Sequence, residues 1–229
     1  MRIDINADLG EGFGPWAMGD DTGMMSIVTS ANIACGGHAS DPETMFAALT
    51  QARDNGVSVG AHPGFNDREG FGRRVIPMSP DEIGRMCAAQ IGALTAMAAL
   101  VGTPVNYVKP HGALGNLAAR DRDVADAIVK AVGGPVFSEM FADRGYLSSG
   151  QLVPRGQDGA MIHDAEQAAQ RLISFLDTGL MPVVDGDPIP LKAQSICVHG
   201  DSIGAVHMAK EIRERLTAHG VEISSFCKA

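Results

Sequence analysis

The sequence is poor in cysteine, with four cysteines among its 229 residues. They are spread along the chain without a C-x-x-C pair, at Cys35, Cys87, Cys197 and Cys227. This distribution is typical neither of a zinc framework nor of a disulfide-stapled secreted domain, so we expect a reducing compartment. The first segment becomes polar within four residues, unlike a signal peptide. We therefore expect a cytoplasmic protein.

Positive charge and long apolar runs are also scarce. The chain has 18 Lys and Arg against 27 Asp and Glu, a formal net charge of −9. Nucleic-acid binding needs a basic surface, so we expect no nucleic-acid partner, although local Arg and Lys leave small anionic substrates open. The longest apolar run, 91–101, is too short to span a bilayer and lies in an amphipathic pattern, so we expect no membrane partner.

Several organising motifs are missing as well. The sequence has no G-x-x-x-x-G-K-[ST] loop, so a nucleotide would be bound in another way or partly on another polypeptide. It also shows no linker, low-complexity segment or strong internal repeat. We therefore predict one domain comprising residues 1–229.

The first segment of the chain alternates between apolar and polar residues from position 3 to position 9. This is the period-2 pattern of a strand, whose polar face carries Asp4, Asn6 and Asp8 and which ends in a glycine-rich turn containing Glu11. An edge strand with one solvated face would show the same pattern. In a parallel β/α barrel, however, the inner face is enclosed and catalytic groups gather where the strands end. We therefore predict that Asp8 and Glu11 lie at that rim.

Strand-like and helix-like patterns then alternate five or six times. The further predicted strands are 27–34, 57–61, 105–109, 135–138, 182–184 and 195–198. The predicted helices are 41–55, 79–102, 121–132, 163–177 and 202–219. This order is typical of an α/β protein with a parallel sheet covered by helices, and we favour a closed or nearly closed barrel over an open sheet.

Reactive side chains follow the predicted strands at most strand ends. Four of the seven histidines lie there, each beside glycine or proline. A single histidine after a strand usually has a structural role, but the set together indicates a site at the barrel mouth. The predicted catalytic residues are Asp8, Glu11, His38, His62, Lys109, His111, His199 and Asp201.

Two mechanisms fit these residues. In the first, a divalent metal activates water and is held by Asp8 with two of the histidines His38, His62 and His111. No H-E-x-x-H or other close ligand spacing marks such a site.

In the second mechanism no permanent metal is present. Lys109 and the histidines polarise and protonate a carbonyl or phosphate oxygen, and Asp8 or Asp201 acts as the base. Because a predicted helix begins just after His199, its dipole disfavours an imidazolium, so we predict a neutral His199.

Nine collinear motifs carry a family resemblance. They are I-D-I-N-A-D-L-G-E at 3–11, M-G-D-D at 18–21, S-A-N-I-A-C-G at 30–36, G-A-H-P-G at 60–64, G-F-G-R-R at 70–74, V-K-P-H-G-A-L at 108–114, F-A-D-R at 141–144, L-V-P-R at 152–155 and C-V-H-G-D at 197–201. Over nearly the whole chain the sequence resembles the LamB/YcsF family.

The resemblance implies a distorted β/α barrel of the glycoside hydrolase/deacetylase type. It also implies ATP-dependent opening of 5-oxoproline to glutamate together with two further subunits. Lys109 and His111 would then act on the carbonyl oxygen. Arginines would pair with a carboxylate or phosphate, although each is equally typical of a solvated surface. The predicted substrate-binding residues are Asn6, Arg73, Arg74, Glu139 and Arg144.

One departure concerns Gly133 and Gly134, which alone join the predicted helix 121–132 to the next strand. Family members carry about one more strand–helix unit there, so either this chain lacks a barrel strand or the sequence omits a stretch. Two rival functions stay open: a stand-alone metal-dependent deacetylase or amidohydrolase, and a non-catalytic module that presents 5-oxoproline or a sugar to a partner enzyme. A homo-oligomer is also open.

Overall fold

The computed structural model describes residues 1–132, 138–200 and 204–227. The strands in these ranges are β1 (Arg2–Leu9), β2 (Ser30–Ala34), β3 (Ser58–His62), β4 (Val105–Val108), β5 (Glu139–Phe141), β6 (Leu180–Met181), β7 (Ile189–Pro190), β8 (Ser195–Cys197) and β9 (Glu222–Ile223). The helices are α1 (Asp21–Met25), α2 (Pro42–Asp54), α3 (Pro80–Val101), α4 (Gly112–Ala118), α5 (Arg122–Val132), α6 (Ala165–Thr178) and α7 (Ala205–Ala218).

Seven strands form one parallel sheet in the order β4-β3-β2-β1-β8-β5, with β9 paired to β1. β6 and β7 form a separate antiparallel pair. Because all the main strands run the same way, their carboxyl ends meet at one mouth. The α/β prediction with a mostly parallel sheet is therefore confirmed.

The two faces of β1 are divided as its alternation predicts. Ile3, Ile5, Ala7 and Leu9 belong to the same hydrophobic cluster as residues of α2, α6 and α7. The opposite face of β1 is polar, and on this face Asn32 donates hydrogen bonds to both Asn6 and Asp8. Beside them the Tyr107 ring lies so close to Gly60 that a Cβ there would overlap it.

The longer helices begin and end at the residues that their capping motifs indicate. Ser79 and Glu82 form a capping box at the start of α3, and Gly102 ends it in the left-handed region. Asp41 accepts hydrogen bonds from the first turn of α2. These local signals need no tertiary information, so the sequence predicts both helices closely.

Helix α3 is long and apolar enough to cross a membrane by length and composition alone. The expectation that its apolar run is too short holds for 91–101 but not for the whole helix. One such helix is weak evidence, because core helices of soluble proteins pass the same test. Here α3 contacts α2 and α5 and buries Ile83, Cys87 and Leu94.

Some predicted boundaries differ from the structure. Residues 182–184 are not a strand; β6 ends before them at Met181. Short elements without a clear period, α1, α4, β7 and β9, were not predicted. Glu139 begins β5 rather than following a strand, and most of the predicted strand 135–138 lies outside the described residues.

The sheet has an open side between β4 and β5. Within residues 1–132, 138–200 and 204–227, no ladder joins these two strands, which are the ends of the main strand order. A further strand following α5 would fall at this position in a closed barrel. The junction at Gly133 and Gly134 itself lies outside the described residues.

Candidate active site

Three histidines and one carboxylate converge at the mouth of the sheet. The ligand-type atoms of Glu11, His38, His62 and His111 all lie within 4.8 Å of one another. We refer to these four residues as the histidine–carboxylate cluster. Glu11 Oε1 lies 3.0 Å from His38 Nε2 and 3.3 Å from His111 Nδ1, and all four residues are buried.

The cluster is assembled from strand ends and one tight loop. His62 is the last residue of β3, and His111 immediately precedes α4. Phe71 adopts a left-handed φ of 51°, which is uncommon for a residue with a side chain. Its ring lies edge-on to His38 and His111, and its carbonyl accepts a 2.8 Å hydrogen bond from His111 Nε2. At the neighbouring Gly72, a Cβ would come within 2.8 Å of both of these histidine side chains.

The hydrogen bonds of His62 and His111 leave two ring nitrogens facing each other. His62 Nδ1 donates to the Lys109 carbonyl at 2.6 Å, and His111 Nε2 donates to Phe71. If both imidazoles are neutral, the other two nitrogens, His62 Nε2 and His111 Nδ1, carry no proton. These two nitrogens lie only 3.0 Å apart, with their lone pairs facing each other. Such a pair requires a shared proton or a cation. Backbone carbonyls that orient imidazoles in this way are typical of metal-ligating histidines.

The electrostatics of the cluster favour bound positive charge. Burial raises the pKa of Glu11, but its contacts with His111 and His38 outweigh burial and lower the pKa to about 2. Burial lowers the pKa of His38 to about 4, so this imidazole is neutral at neutral pH. Its Nδ1 is buried and has no hydrogen-bond partner among the residues that the structure describes. Burial also lowers the pKa of His62, but the Asp8 carboxylate outweighs burial and the net shift is upward.

Lys109 connects the histidine–carboxylate cluster to the polar face of β1. Its Nζ lies 2.9 Å from Asp8 Oδ1 and 3.0 Å from Glu139 Oε2, and it donates to Asn6 Oδ1 at 3.2 Å. Burial lowers the pKa of Lys109, but the charge of Asp8 outweighs it and the pKa is raised well above its usual range. Since its donors are engaged by protein groups, this geometry favours an electrostatic and positioning role for Lys109.

Asp8 connects the two groups. Its Oδ2 lies 3.3 Å from His62 Nε2, while Oδ1 contacts Lys109. Burial raises the pKa of Asp8, but the charges of His62 and Lys109 outweigh burial and hold the pKa well below its usual range. Asp8 is therefore ionised and adds a further oxygen beside the histidine–carboxylate cluster.

His199 lies at the same mouth but in a separate pair. Its Nδ1 is 2.8 Å from Asp143, and its ring stacks on Phe141 at 5.6 Å between centroids. Burial raises the pKa of Asp143, but the hydrogen bond from His199 outweighs it and the pKa is lowered. Arg171 holds the loop through the Phe141 and Ala142 carbonyls. The neutral state of His199 stays a prediction, and Asp201 lies outside the described residues.

The predicted substrate-binding residues are placed in different surroundings. Asn6 is fully buried, and Glu139 pairs with Lys109. Arg74 is paired with Asp67, and the Arg73 guanidinium lies 5.1 Å from the Phe71 ring. The buried Arg144 donates to the carbonyls of residues 153 and 160, so we assign it to loop support rather than to substrate.

Sequence reasoning missed three residues that shape this mouth. Asn32 bridges Asn6 and Asp8 and is itself held by the Tyr107 hydroxyl at 2.7 Å. Asp143 pairs with His199, and Phe71 positions His111. Asp143 and Phe71 are within two of the short motifs that carry the family resemblance, and Asn32 continues the polar alternation on β2.

Comparison with known proteins gives a consistent family match. The sequence profile of the LamB/YcsF family matches residues 3–134 and 129–229. A protein from Azorhizobium caulinodans, named as a subunit of 5-oxoprolinase, is 46% identical over 248 residues, covering 98% of each chain. That aligned stretch is longer than the 229 residues here, so the relative has residues without a counterpart. The family match divides near residues 129–134, the point at which the sequence departs from the family pattern.

Solved structures agree with this match. The lactam utilization protein from Thermus thermophilus superposes with a TM-score of 0.93 at 40% identity, covering 99% of this chain and 100% of that one. A family 4 carbohydrate esterase from Streptomyces lividans gives a TM-score of 0.53 at 12% identity, over 98% and 92% of the two chains. The latter likeness concerns the fold alone.

Proposed function

Because the chain belongs to the LamB/YcsF family, we propose that it is one of the subunits of an ATP-dependent 5-oxoprolinase, a hydrolase which opens the lactam of 5-oxo-L-proline to L-glutamate. The relative from Azorhizobium caulinodans is named for 5-oxoprolinase, and the structure from Thermus thermophilus is described as a lactam utilization protein. The observation that carries the proposal is the histidine–carboxylate cluster at the mouth of the sheet.

Ring opening adds water across the amide C–N bond. The water oxygen bonds to the lactam carbon, the C–N bond breaks, and the nitrogen takes up a proton. A lactam carbonyl is a poor electrophile, so its oxygen must be polarised or phosphorylated first. In our proposal the Lys109 ammonium keeps Asp8 ionised and in place, and the His62–His111 pair holds the proton that is exchanged with the reacting atoms when no cation is bound between the two nitrogens.

We propose a divalent cation as a further component of this site. The fit rests on the facing ring nitrogens of His62 and His111, on Glu11 with its lowered pKa, and on Asp8 beside them. Imidazole and carboxylate donors suit Zn²⁺ and other first-row cations. When bound, the cation would supply Lewis acidity toward the carbonyl oxygen or lower the pKa of a water molecule.

Coupling to ATP and to partner subunits is the broader part of the proposal. The relatives are named as subunits, which implies that they act within an assembly, and we propose two further subunits here. Because the sequence lacks a P-loop, ATP would be bound at least in part by one of these partners. We further propose that the 229 residues form one domain and act in the cytoplasm, which a single cooperative unfolding transition and cell fractionation would test.

The proposed function is tested by glutamate formation from 5-oxoproline and ATP, with and without candidate partner subunits. We expect glutamate only when this chain, its partners and ATP are all present. Asp8→Asn and His111→Ala should each abolish glutamate formation. Glutamate formed equally well without this chain would contradict the proposal.

The metal-ligand geometry also supports a second candidate, a metal-dependent amidohydrolase or deacetylase that acts alone. In that case the isolated chain would hydrolyse amide or acetyl substrates without ATP, and chelation would stop it. Tight binding of 5-oxoproline without turnover in any mixture would instead favour the non-catalytic binding module.

A further inference from the structure

A small pocket lies directly beside the histidine–carboxylate cluster. Its volume is about 210 Å³, below the roughly 300–1,000 Å³ of pockets for drug-sized ligands. Glu11 and His38 form the end that faces the cluster, and Phe13, Trp16 and Phe71 supply aromatic surface. The pocket therefore suits a small molecule with a flat ring.

Arg68 places a positive charge in this pocket. Its guanidinium lies 4.0 Å above the centre of the Phe13 ring, and Nη2 donates to the Gly36 carbonyl at 2.9 Å. A weaker 3.4 Å contact reaches the Ser40 carbonyl. One edge and one face of the guanidinium are thus fixed, so its orientation is set before a ligand arrives. A fixed, planar guanidinium is well suited to a carboxylate.

Trp16 is the second unusual feature. It is 67% exposed, although it is large and apolar, and it stacks on Phe13 at 6.2 Å between centroids. Exposed apolar surface at the rim of a pocket is typical of a binding site. Phe71, which carries the left-handed backbone, closes the pocket next to the histidines.

We propose that this pocket is the substrate subsite, in which Arg68 binds the carboxylate of a small cyclic amide acid while Phe13, Trp16 and Phe71 flank its ring. The inference rests on the proposed function and adds the carboxylate as the recognised group. The ligand's ring amide is then directed toward Glu11 and the histidines. Arg68 is therefore the specificity-determining arginine, whereas the sequence predicts Arg73, Arg74 and Arg144 as the arginines that bind substrate.

The chain contains a single tryptophan, so its fluorescence reports on this pocket without any partner subunit. The isolated chain is titrated with 5-oxoproline and with 2-pyrrolidinone, which has the same ring without the carboxylate. We expect saturable binding of 5-oxoproline and at least about tenfold weaker binding of 2-pyrrolidinone, because 2-pyrrolidinone has no carboxylate to pair with the Arg68 guanidinium.

Arg68→Met should weaken 5-oxoproline binding at least about tenfold and leave 2-pyrrolidinone binding unchanged. Arg68→Lys should give an intermediate affinity, because it keeps the charge but loses the planar fork. The matched control is Arg122→Met, which changes an exposed arginine on α5 that pairs with Asp126; it should bind as the wild type does. In the assembled enzyme, Arg68→Met should raise KM for 5-oxoproline more than it lowers kcat.

The outcomes separate this inference from the proposed function. Glutamate formation by the assembled enzyme with no Arg68 dependence of binding or KM would overturn the subsite and leave the function standing. Equal loss of both lactams in Arg68→Met would also overturn it, since Arg68 would then contact the reacting end. Arg68-dependent binding of 5-oxoproline without glutamate formation in any assembly would support the subsite while the proposed reaction fails.

Discussion

The two sides of the barrel mouth differ in how many charged side chains contact one another. On the side of β1 to β4, Asp8, Lys109 and the histidine–carboxylate cluster form one continuous network. On the side of β5 and β8, His199 and Asp143 form a separate pair, each two residues beyond the end of a strand of only three residues. The first side comes from consecutive strand–helix units, whereas the second follows the junction near residue 133.

The number of charged partners on each side of the mouth indicates how each side would contribute to catalysis. A network in which every buried charge has a partner holds its groups in place before substrate binds. The pair on the second side has one orienting carboxylate and fewer neighbours, as expected for an accessory proton donor or acceptor. We therefore propose charge stabilisation by the first side and proton transfer support by the second.

The largest expected effect comes from removing the Lys109 ammonium group on the first side. Lys109→Met leaves the Asp8 and Glu139 carboxylates, which are 14% and 20% exposed, without their shared counter-ion. We expect the free energy of unfolding to fall by about 3–5 kcal/mol and glutamate formation to be lost. Urea denaturation measures the first quantity. Lys130→Met on the exposed face of α5 is the control, and equal midpoints for both variants would contradict the network.

The next largest effect is expected on Zn²⁺ affinity, which should depend on residues of the first side and not on those of the second. Glu11→Gln and His62→Ala should each lower the affinity for Zn²⁺ at least about tenfold, because they remove direct ligands of the proposed cation. Asp143→Asn on the second side should bind Zn²⁺ as the wild type does. Equilibrium dialysis with metal analysis gives these affinities. Stoichiometric Zn²⁺ binding by Glu11→Gln would contradict the proposal that Glu11 is a ligand of the cation.

A smaller effect is expected from the second side itself. His199→Gln should lower kcat of the assembled enzyme by about 10²-fold, the lower end for a general acid or base. Asp143→Asn should lower kcat less and displace the pH profile, because Asp143 orients the imidazole. Unchanged profiles in both variants would show that this pair is only structural.

The smallest effect concerns pH and has opposite signs on the two sides. Burial raises the pKa of Asp21 to about 6, so the folded protein binds a proton more tightly than the unfolded chain. Stability from this group is therefore lost as pH rises from about 4 to about 6. Asp21→Asn should stabilise the protein by about 1–2 kcal/mol at pH 7 and by nothing at pH 4.

Asp143 gives the reverse. Its pKa is lowered in the folded protein, so its stabilisation is present above its unfolded pKa of 3.8 and is lost as pH falls through the folded value. Asp143→Asn should therefore lower Tm at pH 7, with the difference shrinking below pH 3.8. Thermal unfolding at several pH values tests both residues, and the same sign for both would contradict the assigned pKa shifts.

Sequence reasoning predicts the first side well for physical reasons. Alternation places Asp4, Asn6 and Asp8 on one face of β1, and parallel strands bring His62 and Lys109 to the same end. The second side is harder, because β5 to β8 have two or three residues each and show no period. Asp143 could not be assigned because its partner His199 is 56 residues away. The tautomers of His62 and His111 depend on backbone carbonyls that no sequence pattern reveals.

The role of the histidine–carboxylate cluster is tested most directly by glutamate formation in the assembled enzyme carrying Glu11→Gln, with ATP hydrolysis and partner binding measured in parallel. We expect glutamate formation below about 1% of the wild-type rate, while the variant still joins its partners, because Glu11 is the carboxylate on which the three histidines converge. Glutamate formation at the wild-type rate would show that this cluster is not the reactive centre.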